Sequence, residues 1–401
     1  MTRPQPTSTD APAIGEFIDV DVLRPVAGGT CLGRAADGRT VFVRAALPDE
    51  SVQAQVTAHG KRGRFLFATT TAVNSASPHR VQPPCPVAGE CGGCDWQHTD
   101  SENQRALKAS VVIDALRRTG GLTQIAGVEL EQAVSCEPVG EQFGWRTRMR
   151  YAIDDQGHAA LRSAHSHDLV DARGCLIAAE PITAAINAGP AAPERAGTEL
   201  VAAMGSDGQV RLDESETVTQ IVRHRSWELS PSTFWQVHRQ APEVLVSTVE
   251  QLAEVAPGER VMDLYSGAGL FSAFLGEAVG ITGHVDAVEA DRVASAVAAE
   301  ALADLTQVSH HTSDVRKWIH RATEADVIVL DPPRSGAGTQ ITQRVAALAR
   351  RTIVYVACDP VALARDCATL GQHGWELSEL RVLDLFPNTK HVECVAKFIL
   401  R

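Results

Sequence analysis

Three cysteines lie close together in the stretch "CPVAGECGGCDWQH". Cys85 and Cys91 are separated by five residues, and Cys91 and Cys94 by two. Thiolates at such spacing are typical metal ligands, and a structural metal site usually takes four protein ligands. The stretch therefore predicts a metal site whose fourth ligand lies elsewhere in the chain.

A second group of candidate residues follows predicted strands in the C-terminal half. "DLYSGAGLFS" places Gly267 and Gly269 where a strand passes into a helix, and glycines there let a ligand approach the backbone. A pyrophosphate-binding loop would need a third glycine where Ser272 stands. Glu289 ends the next strand, where an acid can bind ribose hydroxyls, and Asp314 in "TSDV" is a candidate for an adenine amino group. The pattern favours S-adenosylmethionine, which carries no phosphate; a glycine turn beside an unrelated surface glutamate is the alternative.

Residues that could react with a substrate end the next two predicted strands. "VLDPPRSG" contributes Asp331, and the Arg334 that follows argues against an exocyclic amino target, for which an aromatic residue is usual at this place. "YVACDP" contributes Cys358 just before a predicted helix, and a helix N-terminus can lower the pKa of a thiol from about 8.5. A buried core cysteine is the ordinary alternative. Glu393, in "FPNTKHVECVAKF", is either a site carboxylate or a surface residue of the last strand.

The elements that must position these residues fall into distinct regions. We expect a disordered tail over 1–13 and a small antiparallel β-barrel over 14–75, where short β-type runs alternate with turns. Residues 76–225 mix strands, loops and a helix around "SENQRALKASVVIDALRRTGG". Residues 226–401 alternate apolar strands with Ala-rich helices, which is typical of a doubly wound, mostly parallel sheet. Ligands bind such sheets at the carboxyl ends of the strands.

Composition indicates a globular protein that does not enter a membrane. The chain has 401 residues, 44% of them hydrophobic, and a net charge of −12. Its first residues lack the apolar core of a secretory signal, no apolar run approaches 18 residues, and its nine cysteines are an odd number, so we expect a reducing, cytoplasmic setting. The negative charge does not favour nucleic acid, but local basic clusters can bind phosphates. The clusters are Lys61, Arg62 and Arg64; Arg146, Arg148 and Arg150; and Arg223 and Arg225.

Six stretches, taken in order, resemble the RNA uracil-C5 methyltransferases, which use S-adenosylmethionine to form 5-methyluridine. They are "CGGCDWQH", "STFWQVH", "DLYSGAGLFS", "DPPRSG", "YVACDPVALARD" and "FPNTKHVECV". The resemblance covers nearly the whole chain and implies that the barrel is a TRAM domain of OB-like type. It also implies a central α+β domain with a [4Fe-4S] cluster on Cys85, Cys91, Cys94 and Cys175, and a Rossmann-like methyltransferase domain. Zinc is the alternative metal, because thiolates bind both.

The same resemblance implies a role for each site residue. Cys358 takes the place of the nucleophile that attacks uracil C6, and Glu393 that of the base that removes the C5 proton. The cofactor positions of the family fall on Gln236, Tyr265, Glu289 and Asp331. The barrel and the basic clusters would hold the RNA around a uridine that leaves its stack.

The sequence departs from the family at two places. Asp359 follows the nucleophile where Asn is common, and a carboxylate there would oppose thiolate formation. Leu270 stands where some members have Asn. Within the family the iron–sulfur cysteines accompany mainly ribosomal members, so we expect 23S rRNA as the substrate. We also expect the protein to be a monomer. The alternatives are the same chemistry on the T-loop uridine of tRNA, and an RNA-binding protein without catalysis.

Overall fold

The computed structural model describes residues 11–164, 166–171, 173–189, 191–212 and 216–401. The predicted disordered tail therefore lies almost entirely outside the described residues. The chain divides into two compact units. The first comprises Met1–Val111, Ser163–Ser166 and Pro387–Lys390, and the second comprises Val112–Arg162, His167–Phe386 and His391–Arg401. The predicted division into three domains was drawn at other positions and stays a prediction.

The first unit contains a closed five-stranded barrel. The sequence predicts a barrel here, but the prediction that it is antiparallel is wrong for one strand pair. Its strands are β1 (Phe17–Val26), β2 (Thr30–Ala35), β3 (Thr40–Arg44), β4 (Ser51–His59) and β5 (Phe65–Ser75). The order around the barrel is β1-β2-β3-β5-β4, and β3 and β5 pair in parallel while the other pairs are antiparallel. Apolar residues alternate along each strand, so one row fills the interior, where Val41, Val43 and Leu66 are fully buried. Cys31 belongs to this core.

The cysteine-rich loop and a short C-terminal segment also belong to the first unit. The loop precedes α1 (Ser101–Arg118). The Asn388 carbonyl accepts the backbone N–H groups of Asp95 and Trp96, each at 3.0 Å. The buried Gln104 side chain accepts the Asn388 N–H at 2.8 Å and donates to its amide oxygen at 3.2 Å. These bonds fix the residues that follow Cys94 to a segment that lies far away in the sequence.

The second unit begins with short elements and a smaller sheet. In chain order they are β6 (Gln124–Ile125), β7 (Val128–Glu129), α2 (Leu130–Ala133), β8 (Cys136–Pro138), β9 (Arg148–Ile153), β10 (Ala159–Arg162), β11 (Leu169–Val170), α3 (Glu180–Ala188), β12 (Glu199–Met204), β13 (Val210–Leu212), β14 (Val218–Val222) and β15 (Arg225–Leu229). The smaller sheet has the order β11-β10-β9-β12-β13, and α3 packs on it. β14 and β15 form a separate hairpin.

A doubly wound sheet forms the rest of the second unit. Its elements are α4 (Ala241–Ala253), β16 (Arg260–Leu264), α5 (Leu270–Val279), β17 (His284–Glu289), α6 (Arg292–Ala301), β18 (Val308–Thr312), α7 (Val315–Trp318), β19 (Ala325–Leu330), α8 (Thr339–Leu348), β20 (Ala349–Ala357), α9 (Pro360–Gln372), β21 (Trp375–Asp384) and β22 (Glu393–Leu400). The strand order is β18-β17-β16-β19-β20-β22-β21-β8. The strand order reverses between β16 and β19, which is where such sheets bind ligands.

The sheet confirms the predicted α/β class and adds two features. β22 runs antiparallel between β20 and β21, so the last strand is internal to the sheet. β8 pairs in parallel with β21, although it lies in the region that the sequence assigns to the central domain. Three residues are too few for a periodic pattern to reveal a strand. Within the described ranges, no helix combines the length and the apolar character of a membrane span.

Candidate functional site

Five strands of the large sheet end at one edge, and each delivers a predicted site residue there. β16, β17, β18, β19 and β20 are parallel neighbours, so their carboxyl ends lie on the same side. The residues at or just after these ends are Tyr265, Glu289, Asp314, Asp331 and Cys358. Glu393 begins β22, which runs antiparallel to β20, and this brings Glu393 to the same edge.

The loop after β16 contains three residues with a left-handed backbone. Tyr265 has φ of 64°, Gly267 of 55° and Gly269 of 83°. Glu289 accepts the N–H of Gly267 at 2.9 Å, which links the loop to the end of β17. A Cβ built on Gly267 would meet no atom within 4 Å, so open space lies in front of this residue. A Cβ on Gly269 would lie 2.9 Å from Leu302, so that glycine is needed for packing.

A buried acid that the sequence analysis did not identify lies on β16, the strand that precedes this loop. Asp263, on β16, is fully buried and accepts the hydroxyl of Ser272 at 2.5 Å. Its other oxygen has no hydrogen-bond partner among the described residues. Burial raises the pKa of Asp263 to about 7. Burial and the neighbouring Asp263 together raise the pKa of Asp331. In the sequence, Ser272 was notable only because it stands where a pyrophosphate-binding loop would have glycine. In the structure its hydrogen bond to Asp263 connects α5 to β16.

The remaining cofactor candidates occupy different surroundings. Asp314 caps α7 by accepting the Arg316 N–H at 2.8 Å. Burial, and then the charge of Asp314, raise the pKa of Tyr265 to about 12, so its phenol is neutral at physiological pH. Gln236 lies in the loop before α4, where it lines a small cleft with Arg148 and Trp235. The strand-end residues do not line that cleft.

Cys358 and Glu393 face each other across neighbouring strands. The last pair in the register of β20 and β22 is Ala357 with Cys394. One step further along this antiparallel register sets Cys358 opposite Glu393, and directly opposite residues share a face of the sheet. Cys358 is half-buried, whereas Glu393 is 4% exposed. Glu393 is therefore buried, and the alternative of a surface residue of the last strand does not hold.

The electrostatics of the thiol differ from the prediction. Burial, with the carboxylates of Glu393 and Asp331, raises the pKa of Cys358 to about 11, while the charge of Arg334 opposes this. The expected lowering by the helix N-terminus is therefore wrong for the resting protein. The physical reason is that the thiol is partly buried beside the carboxylates of Glu393 and Asp331. Asp359 caps α9, because its side chain accepts the N–H groups of Val361 and Ala362 at 3.0 and 2.8 Å. With a pKa of about 11 the thiol is protonated at neutral pH.

Burial and the charge of Asp331 also raise the pKa of Glu393 well above its ordinary value, and Arg334 again opposes the shift. Arg334 is exposed and forms no ion pair within the described part of the chain. The loop that carries it is held by Asp366, a fully buried residue of α9 that accepts the N–H of Ala337 at 3.0 Å and the hydroxyl of Tyr355 at 2.7 Å. Sequence reasoning used Arg334 only to exclude a target, but its charge acts on both reactive groups.

Removing the charge of Arg334 is expected to make the thiol less reactive. In Arg334→Gln the pKa of Cys358 rises, so less thiolate is present at any pH below that value. Exposed charges interact weakly, and we expect alkylation of Cys358 by iodoacetamide at pH 8 to slow about two- to fivefold. Mass spectrometry of the Cys358 peptide measures the rate. Arg350→Gln, at the opposite end of β20, is the matched control and should change nothing; equal or faster alkylation in Arg334→Gln would contradict this account of the site.

The predicted cluster ligands lie in both units. Cys85, Cys91 and Cys94 are half-buried in the first unit, and Cys175 is half-buried in the second. The Gly93 N–H donates to the Cys91 sulfur at 3.4 Å, a kind of bond that also tunes thiolates in iron–sulfur sites. Across the described ranges, no group of three or more His, Cys, Asp or Glu side chains is arranged to hold a metal ion. The chemistry of the donors fits a cluster, and the ligand set stays a prediction from the sequence.

The chain is similar to several known proteins. Residues 278–399, which include Cys358 and Glu393, match the family model of tRNA (uracil-5-)-methyltransferases. A Streptomyces coelicolor protein named an RNA methyltransferase is 36% identical, over 98% of this chain and 94% of its own length. The 23S rRNA (uracil(1939)-C(5))-methyltransferase RlmD of Halomonas elongata is 31% identical, over 98% of this chain and 91% of its own length.

A solved structure matches the fold over nearly the whole chain. It is the Pyrococcus abyssi tRNA (uracil-54, C5)-methyltransferase in complex with S-adenosyl-L-homocysteine. The TM-score is 0.70, and the match covers 95% of this chain and 99% of the other, at 20% sequence identity. At that identity the likeness concerns the fold alone. The barrel and the doubly wound sheet therefore form an architecture already seen in a methyltransferase.

Proposed function

The chain belongs to the family of RNA uracil-C5 methyltransferases, and from that premise we propose that it methylates a uridine of 23S rRNA through Cys358 and Glu393. It is an S-adenosylmethionine-dependent enzyme that acts on uracil C5 in RNA. One observation carries the proposed mechanism. A thiol and a buried carboxylate stand at opposed positions of β20 and β22, at the edge that also carries the cofactor candidates.

The first step that we propose is addition of the Cys358 sulfur to uracil C6. Uracil C5 is a poor nucleophile, and forming the S–C6 bond moves an electron pair through the ring to give an enolate with a nucleophilic C5. The thiol must lose its proton for this step. Arg334 favours the thiolate, whereas Glu393 and Asp331 oppose it. A bound uracil ring that separates the sulfur from these carboxylates would weaken their opposition.

The second half of the reaction returns the thiol. S-adenosylmethionine, when bound, supplies the electrophilic methyl group that C5 takes up. Glu393 then removes the proton from C5, the C5–C6 double bond re-forms, and the Cys358 sulfur leaves as thiolate. A general base works best when its pKa lies near the working pH. The raised pKa of the buried Glu393 suits that role.

The residues at the other strand ends suit the cofactor. The open space before Gly267 leaves room for a ligand at the loop, and Glu289 has carboxylate oxygens for ribose hydroxyls. Asp314 would meet the adenine amino group. Tyr265, Asp331 and Gln236 are proposed as cofactor-binding residues from the family resemblance alone.

The cysteines are proposed to hold a [4Fe-4S] cluster that shapes the RNA-binding part of the protein. Four thiolate ligands leave no open position for a substrate. Anaerobically purified protein is expected to be brown and to contain iron and sulfide in equal amounts. Cys175→Ala should lose this iron, whereas Cys136→Ala, which removes a buried thiol of β8, should keep it. A colourless protein with stoichiometric zinc would contradict the cluster.

The choice of substrate rests on the RlmD relative and on the cluster cysteines. It is tested by mapping 5-methyluridine in RNA from a strain that lacks the gene. We expect one site in 23S rRNA to lose its methyl group and to regain it with the wild-type gene but not with Cys358→Ala. Loss at the T-loop uridine of tRNA, with 23S rRNA unchanged, would favour the alternative substrate.

A further inference from the structure

Trp227 connects the hairpin of β14 and β15 to the loop that follows β16. Its side chain is 1% exposed and lies on β15. The indole N–H donates to the carbonyl oxygen of Ala268 at 2.9 Å. Ala268 stands between Gly267 and Gly269, so this bond reaches the part of the loop where the cofactor is proposed to bind.

Two peptide groups of the loop are held at both of their polar atoms. In the first, the Ser266 carbonyl accepts the Gly269 N–H at 2.8 Å, and the Gly267 N–H donates to Glu289. In the second, the Ala268 carbonyl accepts the indole N–H, and the N–H of the next residue is the donor to Ser266. Because a peptide group is planar, these two fixed groups leave little freedom to the peptide group between them. That middle group borders the open space in front of Gly267.

The ring of Trp227 also contacts a second loop of the proposed cofactor site. The ring centroids of Trp227 and Trp235 lie 5.2 Å apart, with an interplanar angle of 47°. Trp235 is buried and stands immediately before Gln236, a cofactor candidate in the loop before α4. One side chain thus contacts both loops, by a hydrogen bond on one side and by ring packing on the other.

Ion pairs hold the hairpin that carries this indole. Arg223, in the turn between β14 and β15, pairs with Glu243 at 2.9 Å and with Glu250 at 2.8 Å, both on α4. Arg225, at the start of β15, pairs with Glu277 of α5 at 2.6 Å. These pairs fix the hairpin to two helices of the doubly wound sheet. The strand that carries the indole is therefore held in place at its beginning.

We propose that Trp227 is a positioning residue that keeps the loop after β16 and the loop of Gln236 in the arrangement that binds S-adenosylmethionine. The inference rests on the proposed function in that both loops belong to the cofactor site. Trp227 acts through the Ala268 carbonyl and the Trp235 ring, and it does not itself touch the cofactor. Without the indole N–H the buried carbonyl loses a donor, and the loop spends less time in the binding arrangement. The apparent affinity for the cofactor falls in proportion to that time.

The test measures binding of S-adenosylhomocysteine to the full-length protein by calorimetry, so it needs neither RNA nor methyl transfer. Trp227→Phe keeps an aromatic ring beside Trp235 and removes the N–H. We expect the dissociation constant to rise about three- to tenfold. Hydrogen exchange in the peptide that contains residues 266–269, followed by mass spectrometry without ligand, should become faster.

Trp375→Phe is the matched control. Trp375 is also 1% exposed, and its indole N–H donates to the Ala346 carbonyl at 3.0 Å. It begins β21, at the edge of the sheet opposite to the strand ends that carry the site. Trp375→Phe should lower the melting temperature about as much as Trp227→Phe does, but leave the affinity for S-adenosylhomocysteine and the exchange of the loop unchanged.

A second variant decides the question if Trp227→Phe does not fold. Arg225→Gln keeps the indole and removes an ion-pairing side chain that holds its strand. It should weaken binding of S-adenosylhomocysteine about two- to threefold and speed exchange of residues 266–269. Arg350→Gln, which removes the exposed ion pair with Glu324, is its control and should change neither.

Equal losses of affinity in Trp227→Phe and Trp375→Phe would overturn the proposal, because a general loss of stability would then explain both. Unchanged affinity in a folded Trp227→Phe variant would overturn it as well. A wild-type protein that does not bind S-adenosylhomocysteine would overturn the cofactor site itself and this proposal with it. The proposed mechanism fails separately, if Cys358→Ala still methylates RNA.

Discussion

Replacing Cys358 with alanine is expected to lower methyl transfer to RNA by roughly 10⁴-fold or more, with RNA binding retained. Without the sulfur no bond forms at C6, and C5 stays too weak a nucleophile to take the methyl group. The side chain lies half-buried at the end of β20, and alanine removes only its sulfur, so the variant should fold normally. Transfer of a radioactive methyl group to RNA from a strain lacking the gene measures the loss.

Cys358→Ser serves as a second variant, because its hydroxyl has the same shape but is a far weaker nucleophile toward C6. It should also be inactive. Substantial methyl transfer by either variant would contradict covalent catalysis by this residue. Loss of RNA binding in both would instead show that Cys358 helps to hold the substrate.

Replacing Glu393 with glutamine is expected to stop the reaction after the methyl group has been added. Turnover should fall about 10²- to 10⁴-fold, as is usual when a general base is lost. The enzyme should then remain bonded to C6 of a methylated uridine, because the C5 proton that must leave has no acceptor. A protein–RNA complex that survives denaturing electrophoresis and carries the transferred methyl group would show this state.

The same substitution changes the thiol in a direction that can be measured separately. Glu393 raises the pKa of Cys358, so Glu393→Gln should lower that pKa and speed alkylation of Cys358 at a fixed pH. Glu379→Gln, an exposed residue of the neighbouring β21, is the control for both effects. A Glu393→Gln variant that turns over normally, or that is slow without any accumulated complex, would contradict the assignment of the base.

Part of this site could be predicted from the sequence because parallel strands have a simple geometry. Alternating apolar strands and helices predict the doubly wound sheet, and residues that end its strands must meet at one edge. Glu289, Asp331 and Cys358 were found in this way. Glu393 could not be placed by the same argument, because its strand is antiparallel and enters beside β20 from the end of the chain. Its role came from the family resemblance, and its burial from the structure.

The properties that depend on packing were beyond the sequence. The pattern around Cys358 suggests a thiol activated by a helix N-terminus, but the burial and the neighbouring carboxylates that raise its pKa arise only from packing. The sequence shows only that Ser272 replaces a glycine of the pyrophosphate-binding pattern, and the structure shows that it donates a hydrogen bond to Asp263.

Trapping the covalent intermediate tests the central claim most directly. RNA in which uridine is replaced by 5-fluorouridine is incubated with the wild-type enzyme and S-adenosylmethionine. A fluorine at C5 cannot leave as a proton does, so the reaction should stop with the enzyme bonded to C6. Digestion and mass spectrometry should find a methylated 5-fluorouridine on the peptide that contains Cys358. An adduct on another cysteine, or methyl transfer with no adduct at all, would contradict the account.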